Sequence, residues 1–312
     1  MSDEKVWEKQ ALEHLLLENL KEQRRGRRWR TAVRMMTLVV FVGVAINLFD
    51  IDIAGKSSMG KHTALVDLQG EIAPDTKASA DAINASLQAA FENSESVGVI
   101  LRINSPGGSP VQSGIIHDEM LRLRAKYPQK SLHVVVEEVC ASGGYYVASA
   151  AENIYVDKAS LVGSIGVIMN GFGVTGLMEK LGIERRAIAA GKNKALLDPF
   201  SKQDPKQKEF VQGMITEVHE QFIKVVRTGR GDRLKETPDM FSGLVWNGAK
   251  SVELGLSDGL GSVDTVARDV FKASTIVDYT MKDNLAERVA KRFGAAMGEG
   301  ATRVLMYGGQ LR

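Results

Sequence analysis

Hydrophobic positions along this chain fall into two rhythms, and each change of rhythm marks an element. Short apolar runs, nearly continuous or of period two, predict strands at residues 63–68, 98–104, 133–139 and 153–156. Between them, apolar residues recurring every three or four positions predict helices at residues 78–91, 111–126 and 143–151. Further strands are expected at 166–169 and 186–189. A longer helix, 206–227, carries Phe210, Met214, Val218 and Phe222 at spacings of four, a stripe expected to face the core. Residues 246–273 predict two short helices around Gly255 to Gly261, and residues 285–307 a helical tail interrupted by Gly298 and Gly300. Strand and helix alternating in this way argue for βα units on a mainly parallel sheet, an α/β fold, and no internal repeat points to a solenoid.

One run belongs to neither rhythm. Residues 35–49 are fifteen positions without a charge, preceded by Arg24, Arg25, Arg27, Arg28, Arg30 and Arg34. As a helix the run reaches about 22 Å, against a hydrocarbon core of roughly 30 Å. Thr31, Ala32 and Val33 extend it to nearly a full span if Arg34 snorkels toward the headgroups. The arginine cluster on its N-terminal side predicts a membrane anchor with a cytoplasmic N-terminus. Two other readings are a cleaved signal peptide and a buried helix. The first would need a charged leader of 34 residues, and no small-x-small cleavage site follows before Asp50. Trp7, Leu12, Leu15, Leu16 and Leu20 predict an amphipathic cytoplasmic helix before the anchor. The expected organisation is a leader at 1–34, an anchor at 35–53, a linker at 54–61, a folded domain at 62–274 and a tail at 275–312.

Charge narrows the function. Residues 1–34 hold nine basic and six acidic side chains, so the rest of the chain is near neutral, 31 basic against 32 acidic. That balance leaves no electrostatic footprint for nucleic acid. With 44% hydrophobic residues the chain has ample material for a packed core. Cys140 is the only cysteine, which excludes an intrachain disulfide, and its place at the end of an apolar run reads as a small buried hydrophobe. Neither a Walker loop nor a zinc-ligand cluster is present, so no nucleotide, metal or other cofactor is expected.

Candidate chemistry gathers where strands meet helices, because free backbone N–H groups point there in parallel α/β folds. Asn104-Ser105-Pro106-Gly107-Gly108-Ser109 is one such junction: adjacent glycines let the backbone approach a ligand and aim amides at it, although a tight turn followed by a cap explains Pro-Gly-Gly as well. Cys140-Ala141-Ser142-Gly143-Gly144-Tyr145-Tyr146 is the other. Its serine would stand on a sharp strand-to-helix turn like a nucleophile elbow, without the G-x-S-x-G consensus, and helix capping is the competing reading.

A serine nucleophile needs a base. His14, His62, His117, His133 and His219 all lie away from strand C-termini and read as surface or locally bonded residues. A lysine can serve if desolvation lowers its pKa from about 10.4 toward neutrality, three units costing roughly 4 kcal/mol. Gly191-Lys192-Asn193-Lys194-Ala195-Leu196-Leu197-Asp198-Pro199-Phe200 offers two lysines beside apolar residues, and spacing does not choose between Lys192 and Lys194.

Taken together, Ser105-Pro-Gly-Gly-Ser, Ala141-Ser-Gly-Gly-Tyr-Tyr, Leu161-Val-Gly-Ser-Ile-Gly-Val-Ile and Gly191-Lys-Asn-Lys-Ala-Leu-Leu-Asp-Pro-Phe resemble the signal peptide peptidase A (protease IV) family in its short, single-copy form, over about residues 62–270. The resemblance implies a ClpP/crotonase-like fold of repeated ββα and βα units, here preceded by one transmembrane helix. It implies Ser142 as nucleophile, Lys194 as base, Ser164 as the residue orienting the lysine, and an oxyanion hole from Gly107 or Gly108 with Gly143. It also implies a ring-shaped homo-oligomer on the extracytoplasmic (periplasmic) face of the inner membrane, cleaving remnant signal peptides and other apolar membrane-associated peptides. Two other functions fit the same scaffold: a catalytically silent, membrane-tethered scaffold or regulator, and a crotonase-like enzyme acting on CoA thioesters. The leader and the tail lie outside the resemblance.

Overall fold

The computed structural model describes residues 27–41 and 60–281. The chain divides into a unit of residues 1–58 and 282–312 and a unit of residues 59–281. In the first, residues 27–41 form a helix, α1, with its apolar side chains exposed. Among the described residues no helix is long and apolar enough to cross a membrane. The rest of the expected anchor, most of the leader and the expected tail helix lie outside the described residues.

The second unit is a mixed α/β layer structure. Its strands are β1 (His62–Gln69), β2 (Ser96–Ser105), β3 (Leu132–Ala141), β4 (Asn153–Val156), β5 (Leu161–Gly163), β6 (Val245–Asn247), β7 (Gly259–Leu260) and β8 (Ile276–Asp278). Its principal helices are α2 (Ala80–Glu92), α3 (Pro110–Lys126), α4 (Gly143–Ala148), α5 (Thr175–Leu181), α6 (Pro205–Arg230) and α7 (Gly248–Glu253), and a short α8 (Val263–Thr265) runs on into one π-helical turn. The sheet runs β6-β5-β3-β2-β1-β8, with β4 pairing β3 and β7. All pairs are parallel except β5 with β6.

Alternation along the strands sorts residues between two cores. Ala64, Val66, Leu68, Val99, Leu101, Ile103, Val134 and Val136 point to one face, where α2, α3, α4 and the end of α6 cover them. Leu65, Ile100 and Val135 point to the other and meet Val266 and Ala267. Helix starts are explicit: Ser79, Ser109, Asp204 and Asn247 each accept a bond from a first-turn amide, and proline follows two of them at N1.

β3 is shared between two neighbours. His133 to Val135 pair with β4, whereas Val139 to Ala141 pair with β5. The second half of β3 thereby ends beside β5, and the turns that follow the two strands become neighbours.

Expected strands at 166–169 and 186–189 do not form. Residues 166–169 pair with no strand among the described residues. Ile168 is left 79% exposed and Ile188 wholly so; strand preference is realised only on a surface that packs. The core-facing stripe of the long helix also needs correction. Phe222 is buried, but Phe210 is 66% and Met214 41% exposed; Val211 is buried outside the main core cluster, which α6 joins through Phe222 and Val226 in its C-terminal half. Periodicity shows that a helix has an apolar face without saying what covers it.

That C-terminal half is held by a buried charge. Arg230 donates two 2.8 Å bonds to Asp258 and one to the Gly255 carbonyl, and Asp258 also accepts from the Ile154 amide. Burial opposes the Asp258 carboxylate, but the Arg230 bonds and charge outweigh it and hold its pKa below the usual carboxylate range. α6 is thus tied to both β4 and the loop after α7.

Two buried histidines make stability depend on pH. Burial pushes His133 and His117 below the ordinary imidazole pKa. The unfolded chain therefore binds more protons than the folded one below about pH 6.5, and stability falls as pH drops from there toward the folded values. His133 stacks on Phe271 at 4.9 Å, and its Nδ1 has no hydrogen-bond partner among the described residues. His133→Phe should keep the stack and flatten the stability profile between about pH 6.5 and 5. Urea unfolding across that range checks it; an unchanged slope would remove His133 as a cause.

Candidate active site

Ser142 follows β3 directly and sits at φ 50° and ψ −122°. This is a sparsely populated conformation for an L residue, costing on the order of 1–3 kcal/mol, and sharp strand-to-helix turns that expose a nucleophile have it. Its amide donates to the Gly163 carbonyl at 2.9 Å, and its carbonyl accepts from Tyr146 as α4 begins. Its hydroxyl caps nothing. Ser109 does cap α3. The capping reading thus describes one junction serine and not the other.

Ser164 occupies the matching place after β5, also left-handed at φ 51°, and follows Gly163 at φ 116°. Its amide donates to the Leu244 carbonyl at 2.7 Å. Because Ala141 pairs with Gly163, the two half-buried serines begin neighbouring turns at the same end of the sheet.

The glycine turn closes on them from β2. Ser105 Oγ accepts from the Gly107 amide and donates to the Gly70 carbonyl. Ile72 completes the frame, donating to the Gly107 carbonyl and accepting from the Ser109 amide. A Cβ on Gly107 would lie 2.7 Å from both the Gly143 nitrogen and Ser142 Cβ, and one on Gly108 would lie 2.2 Å from the Ile72 carbonyl oxygen. At Gly143 a Cβ would meet Ser113 Oγ at 2.4 Å and the Gly108 nitrogen at 3.2 Å. Only bare backbone fits here. The Gly107 amide is engaged, whereas those of Gly108 and Gly143 donate to nothing among the described residues. Two unused donors beside a serine hydroxyl are what stabilisation of a developing oxyanion requires.

Tyr145 and Tyr146 fix the short α4. Buried Tyr145 donates to the Leu256 carbonyl at 2.7 Å, and Tyr146 packs between His117 and Phe222. Burial pushes the Cys140 thiol and the Tyr145 hydroxyl upward, so both stay protonated.

No hydrogen bond links Lys194 to Ser142 among the described residues. The lysine lies exposed, with Lys192, in the turns that follow Gly191, and among the described residues its Nζ makes no hydrogen bond or ion pair. That segment is organised instead by Asp198, which accepts from Ser201 Oγ, the Phe200 amide and Arg185. The Ser201 bond is the leading cause of an Asp198 pKa below the usual carboxylate range.

No sequence pattern pointed to Ile72 or Ser113. The buried Ser113 hydroxyl has no hydrogen-bond partner among the described residues, and it faces a glycine of a different element. His219, expected to be a surface or locally bonded residue, reaches the carbonyl of Ile165. Among the described residues no group of His, Cys, Asp and Glu could hold a metal ion.

Comparison with known proteins decides the family. The model of peptidase family S49 matches residues 124–276, from the end of α3 through Ser142, Ser164 and Lys194 to β8. A protein named as a protease in Methanocaldococcus jannaschii is 34% identical over 225 residues, covering 70% of this chain and 71% of that one. This chain belongs to peptidase family S49, the signal peptide peptidase A family. Its mixed α/β architecture with a central sheet fits the ClpP-like fold of that family. A protein named for signal peptide peptidase SppA in Enterococcus faecium is 29% identical over 59% of this chain and 53% of its own length. A Na(+)/H(+) antiporter NhaA of Brucella melitensis is 43% identical over 185 residues, which are 59% of this chain but 25% of that protein. The chain thus spans a quarter of the antiporter's length and about half of the Enterococcus relative's.

If Ser142 is strained and does not cap, its substitution has a particular signature. Ser142→Ala should change stability by less than the roughly 1 kcal/mol typical of a lost cap. Ser142→Gly should be stabilising by about 1 kcal/mol, since relief of the backbone strain exceeds glycine's added unfolded-state entropy. Urea midpoints of the three proteins test this, and a destabilised Ser142→Gly would refute the strain.

Proposed function

We propose that the protein is a membrane-anchored serine endopeptidase that hydrolyses remnant signal peptides and other apolar membrane-associated peptides through a Ser142–Lys194 dyad. The observation that carries this is the Ser142 turn: a strained serine with an uncommitted hydroxyl, beside the two free amides of Gly108 and Gly143. Family membership directs that geometry toward peptide bonds rather than CoA thioesters.

In this reading Lys194 takes the Ser142 proton as Oγ attacks the scissile carbonyl, and the oxyanion forms against the Gly108 and Gly143 amides. Lys194 returns the proton to the leaving amine, which departs as the acyl-enzyme forms. Water then attacks the ester, losing its proton to Lys194; Oγ is reprotonated and the acid product leaves. Ser164 orients the lysine by a hydrogen bond.

Exposure of Lys194 in the single chain bears on the oligomer. A lysine base needs a site from which water is excluded. The segment that carries it also leaves Phe172, Leu181, Ile183 and Ile188 exposed, and a ring of copies would cover such surface and dry the site. The same exposure is what a catalytically silent scaffold would show, so the two readings differ in what assembly does. The anchor at 35–53 would hold the ring on the extracytoplasmic face of the inner membrane, with the leader in the cytoplasm.

Ser142→Ala and Lys194→Ala, folded, should each lose on the order of 10³-fold or more in turnover of an apolar peptide. Lys192→Ala should keep most activity, and Ser164→Ala should fall between, roughly tenfold down. An active Ser142→Ala would end the mechanism; a dead Lys192→Ala beside an active Lys194→Ala would move the base.

Topology and assembly have separate tests. A reporter fused after Ile53 should be active only outside the cytoplasm. The detergent-extracted protein should sediment as a ring-sized homo-oligomer, and a fully active monomer would overturn the assembly.

A further inference from the structure

The Ser164 turn has to be held from outside. Gly163 and Ser164 are consecutive residues at positive φ, 116° and 51°, and the second carries a side chain that disfavours this conformation by about 1–3 kcal/mol. Beyond Gly166 the chain is exposed as far as α5. Four contacts fix the turn. Gly163 O accepts from the Ser142 amide, the Ser164 amide donates to Leu244 O, and the Ile165 side chain is fully buried. The fourth is the only hydrogen bond of the set made by a side chain: His219 Nε2 lies 3.1 Å from the Ile165 carbonyl oxygen.

We infer that His219 is a positioning residue for the peptidase site, fixing the Ser164 turn beside Ser142 by donating from Nε2 to the carbonyl of Ile165. The inference rests on the reading of Ser142 as nucleophile and of Ser164 as the residue that orients its base. A carbonyl only accepts, so Nε2 carries the proton in the contact, and it does so whether the ring is neutral or charged. The role is therefore geometric and not a proton switch.

The position of His219 on α6 gives the contact its reach. It lies between the exposed stretch that carries Phe210 and Met214 and the buried stretch that carries Phe222, Val226 and Arg230. Phe222, three residues on and on the same side of the helix, packs 5.2 Å from the ring of Tyr146 in α4. One helix face thereby touches both halves of the site: the nucleophile turn through Phe222 and the Ser164 turn through His219. The Arg230–Asp258 pair fixes the end of that helix.

The test is a double-mutant cycle on the full-length protein in detergent, with a fluorogenic apolar peptide, rates being normalised to Ser142 that a fluorophosphonate can label. His219→Leu should lower kcat about tenfold, the equivalent of one lost hydrogen bond, with KM and the urea midpoint nearly unchanged. His219→Gln, whose amide nitrogen reaches as far as Nε2, should recover most of the loss. On a Ser164→Ala background His219→Leu should cost less than about twofold, because the two residues act through one turn. Wild-type kcat in His219→Leu, a glutamine variant as poor as the leucine variant, or a full-sized loss on the Ser164→Ala background would each overturn the role. Ser142→Ala in the same series separates the failures. If it keeps turnover, the peptidase reading falls; if it is dead while His219→Leu is unaffected, only the His219 role does.

Discussion

Everything at the candidate site depends on how closely two backbone turns approach one another. The turn after β2 and the turn after β3 meet where no Cβ fits, with Gly107 against Ser142 and Gly143, and Gly108 against Ile72. This contact brings the backbone of Gly107 and Gly108 against Ser142 and Gly143. Among the described residues neither the Gly108 nor the Gly143 amide reaches a carbonyl. Unsatisfied donors are costly in a folded protein and are kept where a ligand completes them.

Around that contact the fold works as a set of braces. β3 changes partner along its length, which carries its end away from β4 and sets it beside β5. The antiparallel β6 covers the far edge of β5, and Leu244, just before β6, supplies its carbonyl to Ser164. α3 enters capped by Ser109, α4 is tied down by Tyr145, and α6 is locked by a buried arginine whose carboxylate partner also holds β4. Left-handed backbone at Ser142 and Ser164 persists because these neighbours over-determine it.

The lysine stands apart from this rigid frame. Its segment is built from turns around Asp198 and packs little apolar surface, and α6 beyond it leaves Phe210 and Met214 uncovered. A single chain thus presents a strained serine beside two glycine amides that are free among the described residues, with the lysine proposed as its base exposed. The difference between a stiff half-site and an exposed arm is a difference in buried area. It makes assembly the step on which the proposed activity turns.

Strands β1 to β4, the helices α2 to α4 and the two glycine-serine junctions were legible in the sequence, because each is written in local terms: hydrophobic period, cap residues and paired glycines. Which serine caps a helix and which is strained was not legible, since Ser109 and Ser142 occupy similar strand-to-helix contexts and differ only in the backbone their neighbours impose. Nor did periodicity show that residues 166–169 lack a strand partner, or that half of an amphipathic helix faces outward; both depend on what another part of the chain places there. β5, β6, β7 and β8 are two or three residues long, too short to carry a period. Spacing likewise left Lys192 and Lys194 equal, and the single chain leaves both exposed. Local sequence determined the elements and the chemistry on offer, and tertiary structure decided which backbone groups stay free, because a hydrogen bond unused at one junction depends on atoms that are distant in the chain.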